Sequence, residues 1–179
     1  MKPGDEPGFL DRKGEQMKKY RVIFPSYDWD DVVYVNQIIQ APKFIGAQTM
    51  GFKSGVPQET VKNSDAAIKR WIDEQMVGCS CLVLFQGERT YQSRWVAYEM
   101  QKAYEEDMGR FVVKLDGMKN PWGGFSQPGL DPYKAHNRYS YEPNNNGYII
   151  RHYSWIYDNG HDNFADWIEE ACSRTSKYA

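Results

Sequence analysis

The segment that best indicates the fold is Cys79-Ser-Cys-Leu-Val-Leu-Phe85, which is the least polar run in the chain. A short run with almost no alternation of apolar and polar positions is typical of a strand buried on both faces, as in a parallel sheet. Gly78 stands just before the run, where a glycine commonly ends a helix, and Gly87 follows shortly after it. The sequence therefore predicts a central parallel strand lying between two helices.

One amphipathic helix is predicted before this strand and another after it. The first begins after Ser64 and the second after Ser93, and serine is a preferred residue at helix N-termini. The second helix is predicted from Arg94 to about Asp107, with Gly109 ending it. Apolar residues recur at spacings of three and four along both helices: Ile68, Trp71, Ile72 and Met76 on the first, and Val96, Met100 and Ala103 on the second.

Four further strands are predicted from short apolar runs. They are Tyr20 to Phe24, closed by Pro25, then a weakly patterned stretch from Phe44 to Met50, then Phe111 to Leu115, and last Tyr148 to Tyr157. Acidic residues at positions 28–31 suit the start of a helix that packs through Val32, Val35 and Ile39. Asp162 or Asn163 is the predicted cap of a terminal helix carrying Phe164, Trp167, Ile168 and Ala171.

Strands and helices thus alternate along the chain with short connections. This order predicts an α/β fold, namely a flavodoxin-like, doubly wound, mostly parallel sheet of five strands in the order 2-1-3-4-5 with helices on both faces. We expect residues 1–19 to form a flexible polar leader and residues 20–176 a single domain. Residues 116–147, rich in proline and glycine, form a long loop insertion in which the aromatic residues, among them Trp122, Phe125 and Tyr133, are expected to fix the loop to the body.

Composition excludes several classes of protein. The 179 residues are 41% hydrophobic and 15% aromatic, which is too apolar for a natively unfolded chain. The apolar runs are far shorter than a membrane span requires. A net charge of -2 disfavours binding to nucleic acid, which usually needs a basic excess. Three cysteines do not make a disulfide framework, and no signal peptide is evident, so a cytoplasmic location is predicted.

A ligand site is expected where the winding of the sheet reverses, beyond the carboxyl ends of the first and third strands. The two sides of that crevice are residues 25–31 and 86–99. Trp95 and Glu99 are four residues apart on the helix after the third strand, so they share a face of that helix. We expect this face to differ from the Val96 face and to lie at the edge of the crevice. The alternative is that the pair forms only a partly solvated helix flank.

No bound cofactor or metal is expected. Asp28, Asp30 and Asp31 resemble the acidic Mg²⁺ site of a phospho-receiver domain, but Gln86 and Gly87 stand where the phosphoacceptor aspartate would have to be. Helix capping explains the three aspartates better. The chain has neither a G-x-G-x-x-G after a strand nor a P-loop motif, and its first loop is not the phosphate cradle of a flavin mononucleotide protein.

One segment, Cys81-Leu-Val-Leu-Phe-Gln-Gly-Glu-Arg-Thr-Tyr-Gln-Ser-Arg-Trp-Val-Ala-Tyr-Glu-Met100, resembles the signature of the TIR-like proteins of the Thoeris antiphage system, which are bacterial Toll/interleukin-receptor homologues. Arg21-Val-Ile-Phe-Pro-Ser-Tyr-Asp28 is similar to the opening strand of that family, and residues 157–169 are similar to its C-terminal end. The W-V-x-x-E block is the most specific part. Pro25 stands where the family usually has a small or polar residue.

The resemblance implies cleavage of NAD, as substrate, at the bond between nicotinamide and ribose. The product would be an ADP-ribose derivative, in some members cyclic, that signals to an effector protein. Glu99 falls on the catalytic glutamate of the family and Trp95 on the aromatic residue one turn before it. Ser26, Tyr27 and Asp28 would line the opposite side of the substrate site.

Two other functions stay open. The domain can be a non-catalytic interaction module that assembles with copies of itself or with partners in a signalling pathway, since the TIR fold serves both purposes. It can also be a nucleotide-binding protein that performs no chemistry.

Overall fold

A strand lies on each side of the central strand of the protein, and two helices cover each of its faces. The structure, a computed structural model, describes residues 20–41, 50–52 (backbone only), 64–136 and 149–175. In chain order the elements are β1 (Arg21–Ser26), α1 (Val32–Ile39), β2 (Met50–Phe52), α2 (Asp65–Met76), β3 (Cys81–Gln86), α3 (Arg94–Glu105), β4 (Gly109–Lys114), α4 (Pro132–His136), β5 (Arg151–Ser154) and α5 (Gly160–Ser173).

The sheet is parallel and has β3 in the middle. β3 pairs with β1 on one side, where Ser26 lies beside Leu84, and with β4 on the other, where Lys114 lies beside Gln86. β5 pairs with β4, and the three-residue β2 pairs with the beginning of β1. All six residues of β3 are buried. The predicted α/β class with a parallel sheet flanked by helices is confirmed.

Side chains of β3 alternate between two apolar cores, one on each face of the sheet. Val83 and Phe85 pack in the core that contains residues of α1 and α5, and Leu82 and Leu84 pack in the core that contains residues of α2 and α3. Because helices cover both faces, every position of β3 must be apolar or internally bonded. This explains why its sequence shows no alternation.

Several predicted strand boundaries are wrong: β5 ends at Ser154 and not at Tyr157, and both β1 and β2 differ from the prediction. β1 does not end at Pro25 but continues to Ser26, and Pro25 lies beside Val83. β2 pairs only with Arg21 to Ile23, so no described strand covers the other edge of β1 at Pro25, and the missing N–H of proline costs no ladder hydrogen bond there. The described part of β2 includes Gly51, which was expected to break the strand; residues 44–49 lie outside the described residues.

The buried face of α1 and one boundary each of α3 and α5 differ from the prediction. The buried residues of α1 are Tyr34, Val35 and Ile38, because nearly all of this helix is apolar and its periodicity does not select one face. α3 ends at Glu105, and Gly109 already begins β4. α5 starts one turn earlier than expected, after Asn159, since Gly160 has no side chain to collide with the ring of Trp155.

The long insertion is described as far as residue 136. Its first part folds back on itself through a bridge between Lys119 and Phe125, and its end forms α4. Tyr133 is buried in the core, as expected of an aromatic residue that fixes the loop. Trp122 and Phe125 are not: they are 81% and 55% exposed. The predicted leader and the rest of the insertion lie outside the described residues.

Gly129 joins the insertion to the end of β3. The side-chain amide of Gln86 donates to the Gly129 carbonyl at 2.7 Å, and a Cβ at Gly129 would overlap the backbone of Gly87 and Glu88. Since backbone atoms cannot swing aside, we expect Gly129→Ala to lower the free energy of unfolding by about 2–3 kcal/mol in urea denaturation. Gly123→Ala is the control, because that site is open and only its left-handed φ of 91° adds strain, about 1 kcal/mol. Equal losses in the two variants would contradict the tight contact.

Two global features concern cysteines and membranes. Cys79, Cys81 and Cys172 are all buried and form no disulfide. Of the helices in the described segments, none combines the length and the apolar character needed to cross a bilayer.

Candidate functional site

The loops that follow β1 and β3 meet at the carboxyl edge of the sheet, as predicted for the crevice. Thr90, after β3, donates its hydroxyl to Asp31, after β1, at 3.0 Å between Oγ1 and Oδ2. The same Thr90 oxygen accepts from the backbone N–H of Gly87 at 2.8 Å. A Cβ at Gly87 would overlap the Asp31 carboxyl group, so only glycine allows the two loops to approach this closely.

Glu99 lies beneath this edge and touches β1. Its Oε2 atom accepts a hydrogen bond from the Ser26 hydroxyl at 2.6 Å, and the Glu99 residue is 4% exposed. In the described part of the chain, no Lys, Arg or His forms an ion pair with it. α3 brings Glu99 to Ser26 because the residue occupies the inward face of that helix.

The prediction that Glu99 lies on a face of α3 other than its Val96 face is wrong. Its neighbours in the buried stripe of α3 are Val96, Met100 and Ala103. Positions 96, 99, 100 and 103 follow the i, i+3, i+4, i+7 pattern of a single helix face. That spacing is visible in the sequence and indicates an inward-facing Glu99, although carboxylates usually avoid the core.

Burial changes the acidity of Glu99. Removal from water raises the pKa of the carboxyl group to about 8, and the hydrogen bond from Ser26 offsets part of that rise. At neutral pH the unliganded protein therefore holds Glu99 largely protonated. A cation bound nearby would favour the charged form and lower this pKa.

Tyr27 and Asp28 lie on the other side of Ser26. Tyr27 is half-buried, and its pKa is raised by burial and by the charge of Glu99. Asp28 caps the turn that leads into α1, where its Oδ1 accepts from the Asp30 N–H at 3.1 Å. The capping role predicted for Asp28 is confirmed; burial raises its pKa, and Arg89 counteracts that effect.

Asp31 is a candidate functional residue that the sequence did not reveal. It was predicted to cap α1, yet its side chain makes no cap bond and is instead buried against Gly87 and Thr90. Burial raises its pKa to about 6, with the Thr90 hydrogen bond acting in the opposite direction. Asp31 lines a cavity of about 390 Å³ together with Asp28, Asp30, Tyr34, Glu88, Arg89, Phe125, Ser126 and Gln127.

Trp95 opens into a different cavity. This cavity, of about 560 Å³, is lined by residues of α2, α3 and α4, and the guanidinium of Arg94 lies 4.6 Å from the centre of the Trp95 ring system. Glu99 is in the lining of neither cavity among the described residues. The structure thus joins Glu99 to Ser26 and Tyr27, whereas Trp95 and Asp28 face two separate spaces.

Metal binding finds no support in the described residues. No group of three or more His, Cys, Asp or Glu side chains there is arranged to hold a metal ion. The acidic residues 28, 30 and 31 are engaged in capping, in an ion pair with Arg89 and in the contact with Thr90 respectively.

Comparison with known proteins places the site within a family. A protein of Bacillus cereus (strain MSX-D12) named "Putative cyclic ADP-D-ribose synthase ThsB1" is 25% identical over 104 residues, which are 58% of this chain and 53% of that protein. The match therefore spans about half of the relative's length. The profile of the family described as "Thoeris protein ThsB, TIR-like domain" matches residues 24–120, which are more than half of the chain and include Ser26, Trp95 and Glu99. The chain belongs to this TIR-like domain family of the Thoeris protein ThsB.

Proposed function

We propose that this protein cleaves NAD at the bond between nicotinamide and ribose and produces an ADP-ribose-type second messenger, linear or cyclic, in antiphage defence. The observation that carries the proposal is the buried carboxyl group of Glu99, hydrogen-bonded to Ser26 and free of any described cationic partner. A carboxyl group kept this way at the carboxyl edge of a parallel sheet is typical of a functional site rather than of a stabilising contact. The family and the name of the Bacillus relative support the same chemistry.

One carboxylate is enough for this reaction. Nicotinamide carries a positive charge in NAD and leaves as a neutral molecule, taking the electron pair of the broken C–N bond, so no acid has to protonate it. Ordinary glycosidases need two carboxyl groups because their leaving group requires a proton. Ionised Glu99 would stabilise the positive charge that develops on the ribose. Water or a nitrogen of the adenine ring would then bond to the ribose carbon, and water would complete hydrolysis after losing a proton.

The other candidate residues would position the substrate. Ser26 holds Glu99 in place, and Tyr27 lies within the electrostatic reach of Glu99. Trp95, one turn earlier on α3, would contact the nicotinamide or its ribose with its ring. Asp28 would help to position the substrate from the neighbouring crevice. NAD is the substrate here and no separate cofactor is proposed.

The proposal also includes the order of the strands in the sheet and the partners of the protein. We infer the flavodoxin-like, five-stranded sheet order 2-1-3-4-5, which the pairing of the short β2 with β1 supports. An effector protein that responds to the product, and assembly of the domain with copies of itself, would complete the signalling role.

The test is to follow the release of free nicotinamide from NAD and to identify the adenine-containing product by mass spectrometry. We expect release by the purified protein, or by the protein with lysate of phage-infected cells if infection triggers it. Conversion to a species with the mass of ADP-ribose less one water would indicate a cyclic product. Absence of release under both conditions would overturn the proposal.

Ser26 offers a sharper check of the role of Glu99. Because kcat/KM follows the ionisation of the free enzyme, it should rise with pH through a midpoint near the Glu99 pKa of about 8. The hydrogen bond from Ser26 lowers that pKa, so Ser26→Ala should move the midpoint to higher pH. Thr90→Ser is the control, since it keeps the hydroxyl group beside Asp31. An unchanged midpoint in Ser26→Ala would contradict the assignment.

A non-catalytic interaction module is the second candidate, and an exposed apolar patch favours it. Ile156 and Tyr157 are 47% and 77% exposed, and both lie close to Gly117 of the insertion. Apolar groups gathered this way are typical of protein interfaces. Concentration-dependent assembly, unaffected by Glu99→Gln and without turnover of NAD, would identify this function.

A further inference from the structure

The cavity beside Trp95 has a lining that suits an anionic, aromatic ligand. Its volume of about 560 Å³ falls within the range of small-molecule sites. Two cations, Lys69 and Arg94, and two aromatic rings, Trp95 and Tyr98, contribute to its wall. This combination of cationic and aromatic groups is what recognition of a nucleotide requires.

Lys69 supplies a positive charge that the protein does not neutralise. Its ammonium group lies 5.3 Å from the centre of the Tyr98 ring, and it forms no ion pair within the described segments. The Tyr98 hydroxyl is turned away to Asp73, to which it donates at 2.8 Å. The Lys69 charge is therefore held at the cavity wall by an aromatic face and is open to an anion.

Arg94 supplies a second charge, which is exchangeable. Its guanidinium donates to both carboxylate oxygens of Asp65, at 2.8 and 2.9 Å. The two side chains are 67% and 61% exposed, so water weakens this ion pair. A phosphate group accepts the same two parallel hydrogen bonds as a carboxylate and carries more charge. Arg94 can thus transfer from Asp65 to a phosphate.

His136 adds a polar group without an internal partner. It lines the cavity from the end of α4, and its Nε2 atom is buried with no hydrogen-bond partner among the described residues. A buried ring nitrogen of this kind is usually satisfied by a ligand or a water molecule. It is a third point at which a bound molecule can be held.

We propose that this cavity is the subsite for the diphosphate of a dinucleotide, with Lys69 and Arg94 binding the phosphate oxygens. The inference rests on the proposed function and extends it, because Trp95 connects the cavity to the turn of α3 that carries Glu99. Asp65 competes with the phosphate for Arg94. The cavity therefore selects nucleoside diphosphates over uncharged nucleosides.

Binding of ADP, measured by isothermal titration calorimetry, tests the proposal, with adenosine as the uncharged comparison. We expect ADP to bind at least 10-fold more tightly than adenosine. Lys69→Ala and Arg94→Ala should each weaken ADP binding about 10-fold. Asp65→Asn should strengthen it severalfold, because it removes the competing carboxylate, a result that a purely structural role would not produce. Arg70→Ala is the matched control, since Arg70 neighbours Lys69 on α2 but lies outside the cavity lining.

Equal binding of ADP and adenosine, or unchanged ADP binding in Lys69→Ala, would overturn the subsite. Failure of the proposed function gives a different result. In that case NAD cleavage would be absent, or it would be unchanged in Glu99→Gln. ADP would still bind, and its binding would still depend on Lys69. If only the subsite proposal is wrong, the wild type will still release nicotinamide.

Discussion

Replacing Glu99 by Gln is expected to lower the rate of nicotinamide release from NAD at least 100-fold. Glutamine has the same shape and can keep the hydrogen bond with Ser26, but it cannot carry the negative charge that the developing ribose cation requires. Loss of a single preorganised electrostatic group in an enzyme typically costs about 10²–10³ in rate. The measurement is the initial rate of nicotinamide release at saturating NAD and pH 8.5.

Glu105→Gln is the matched control for this experiment. Glu105 lies on the same helix and makes the same change of charge, but it is at the surface, where it accepts a hydrogen bond from Gln101. We expect this variant to keep the rate of the wild type. A Glu99→Gln protein with full activity would show that the buried carboxyl group is not the catalytic one.

The second large effect concerns stability and pH. In the folded protein Glu99 stays protonated up to a pKa of about 8, whereas in the unfolded chain it ionises near its ordinary value of 4.5. Between these two values the unfolded state binds fewer protons, so the free energy of unfolding falls as pH rises, by up to about 1.4 kcal/mol per pH unit. This contribution is fully present below the unfolded pKa and is lost as pH passes through the folded one.

Glu99→Gln removes this dependence. Between pH 4.5 and pH 9 we expect the stability of the variant, relative to that of the wild type, to increase by about 4 kcal/mol in urea unfolding. Asp31 titrates in the same direction, but its folded pKa is about 6, so the change between pH 6.5 and 9 belongs chiefly to Glu99. Other groups titrate equally in both proteins and cancel in the difference. Parallel stability curves would contradict the raised pKa.

The two experiments distinguish the structural and chemical roles of the same residue. The neutral form of Glu99 is compatible with a stable fold, whereas the charged form is the one that reacts. Ionisation of Glu99 therefore lowers the free energy of unfolding at the pH where the residue functions. Binding of a cationic nicotinamide would supply the missing partner and favour the charged form of Glu99. In the free protein, stability should therefore fall between about pH 4.5 and 8, and activity should rise around pH 8, where the folded carboxyl group ionises.

Prediction from sequence succeeded where a feature depends on local chemistry. Ser64 and Ser93 accept hydrogen bonds from the backbone at the starts of α2 and α3, and Gly78 has the left-handed φ of 76° expected at the end of a helix. These features depend on residues three or four positions apart. The prediction was weaker at Pro25 and Asn159, where pairing with a distant strand or contact with Trp155 decides the boundary.

The candidate site divides in the same way. Sequence patterns were sufficient to predict the parallel α/β architecture, the crevice between the ends of β1 and β3, and the spacing of Glu99 and Trp95, which lie one turn apart on α3. The inward turn of Glu99 to Ser26, the burial of Asp31 against Gly87 and the separate cavity that Trp95 shares with Lys69 and Arg94 became evident only from the folded arrangement. The physical reason is that helical spacing fixes which residues share a face, whereas the burial of a charged group depends on partners brought from 59 to 73 residues away along the chain.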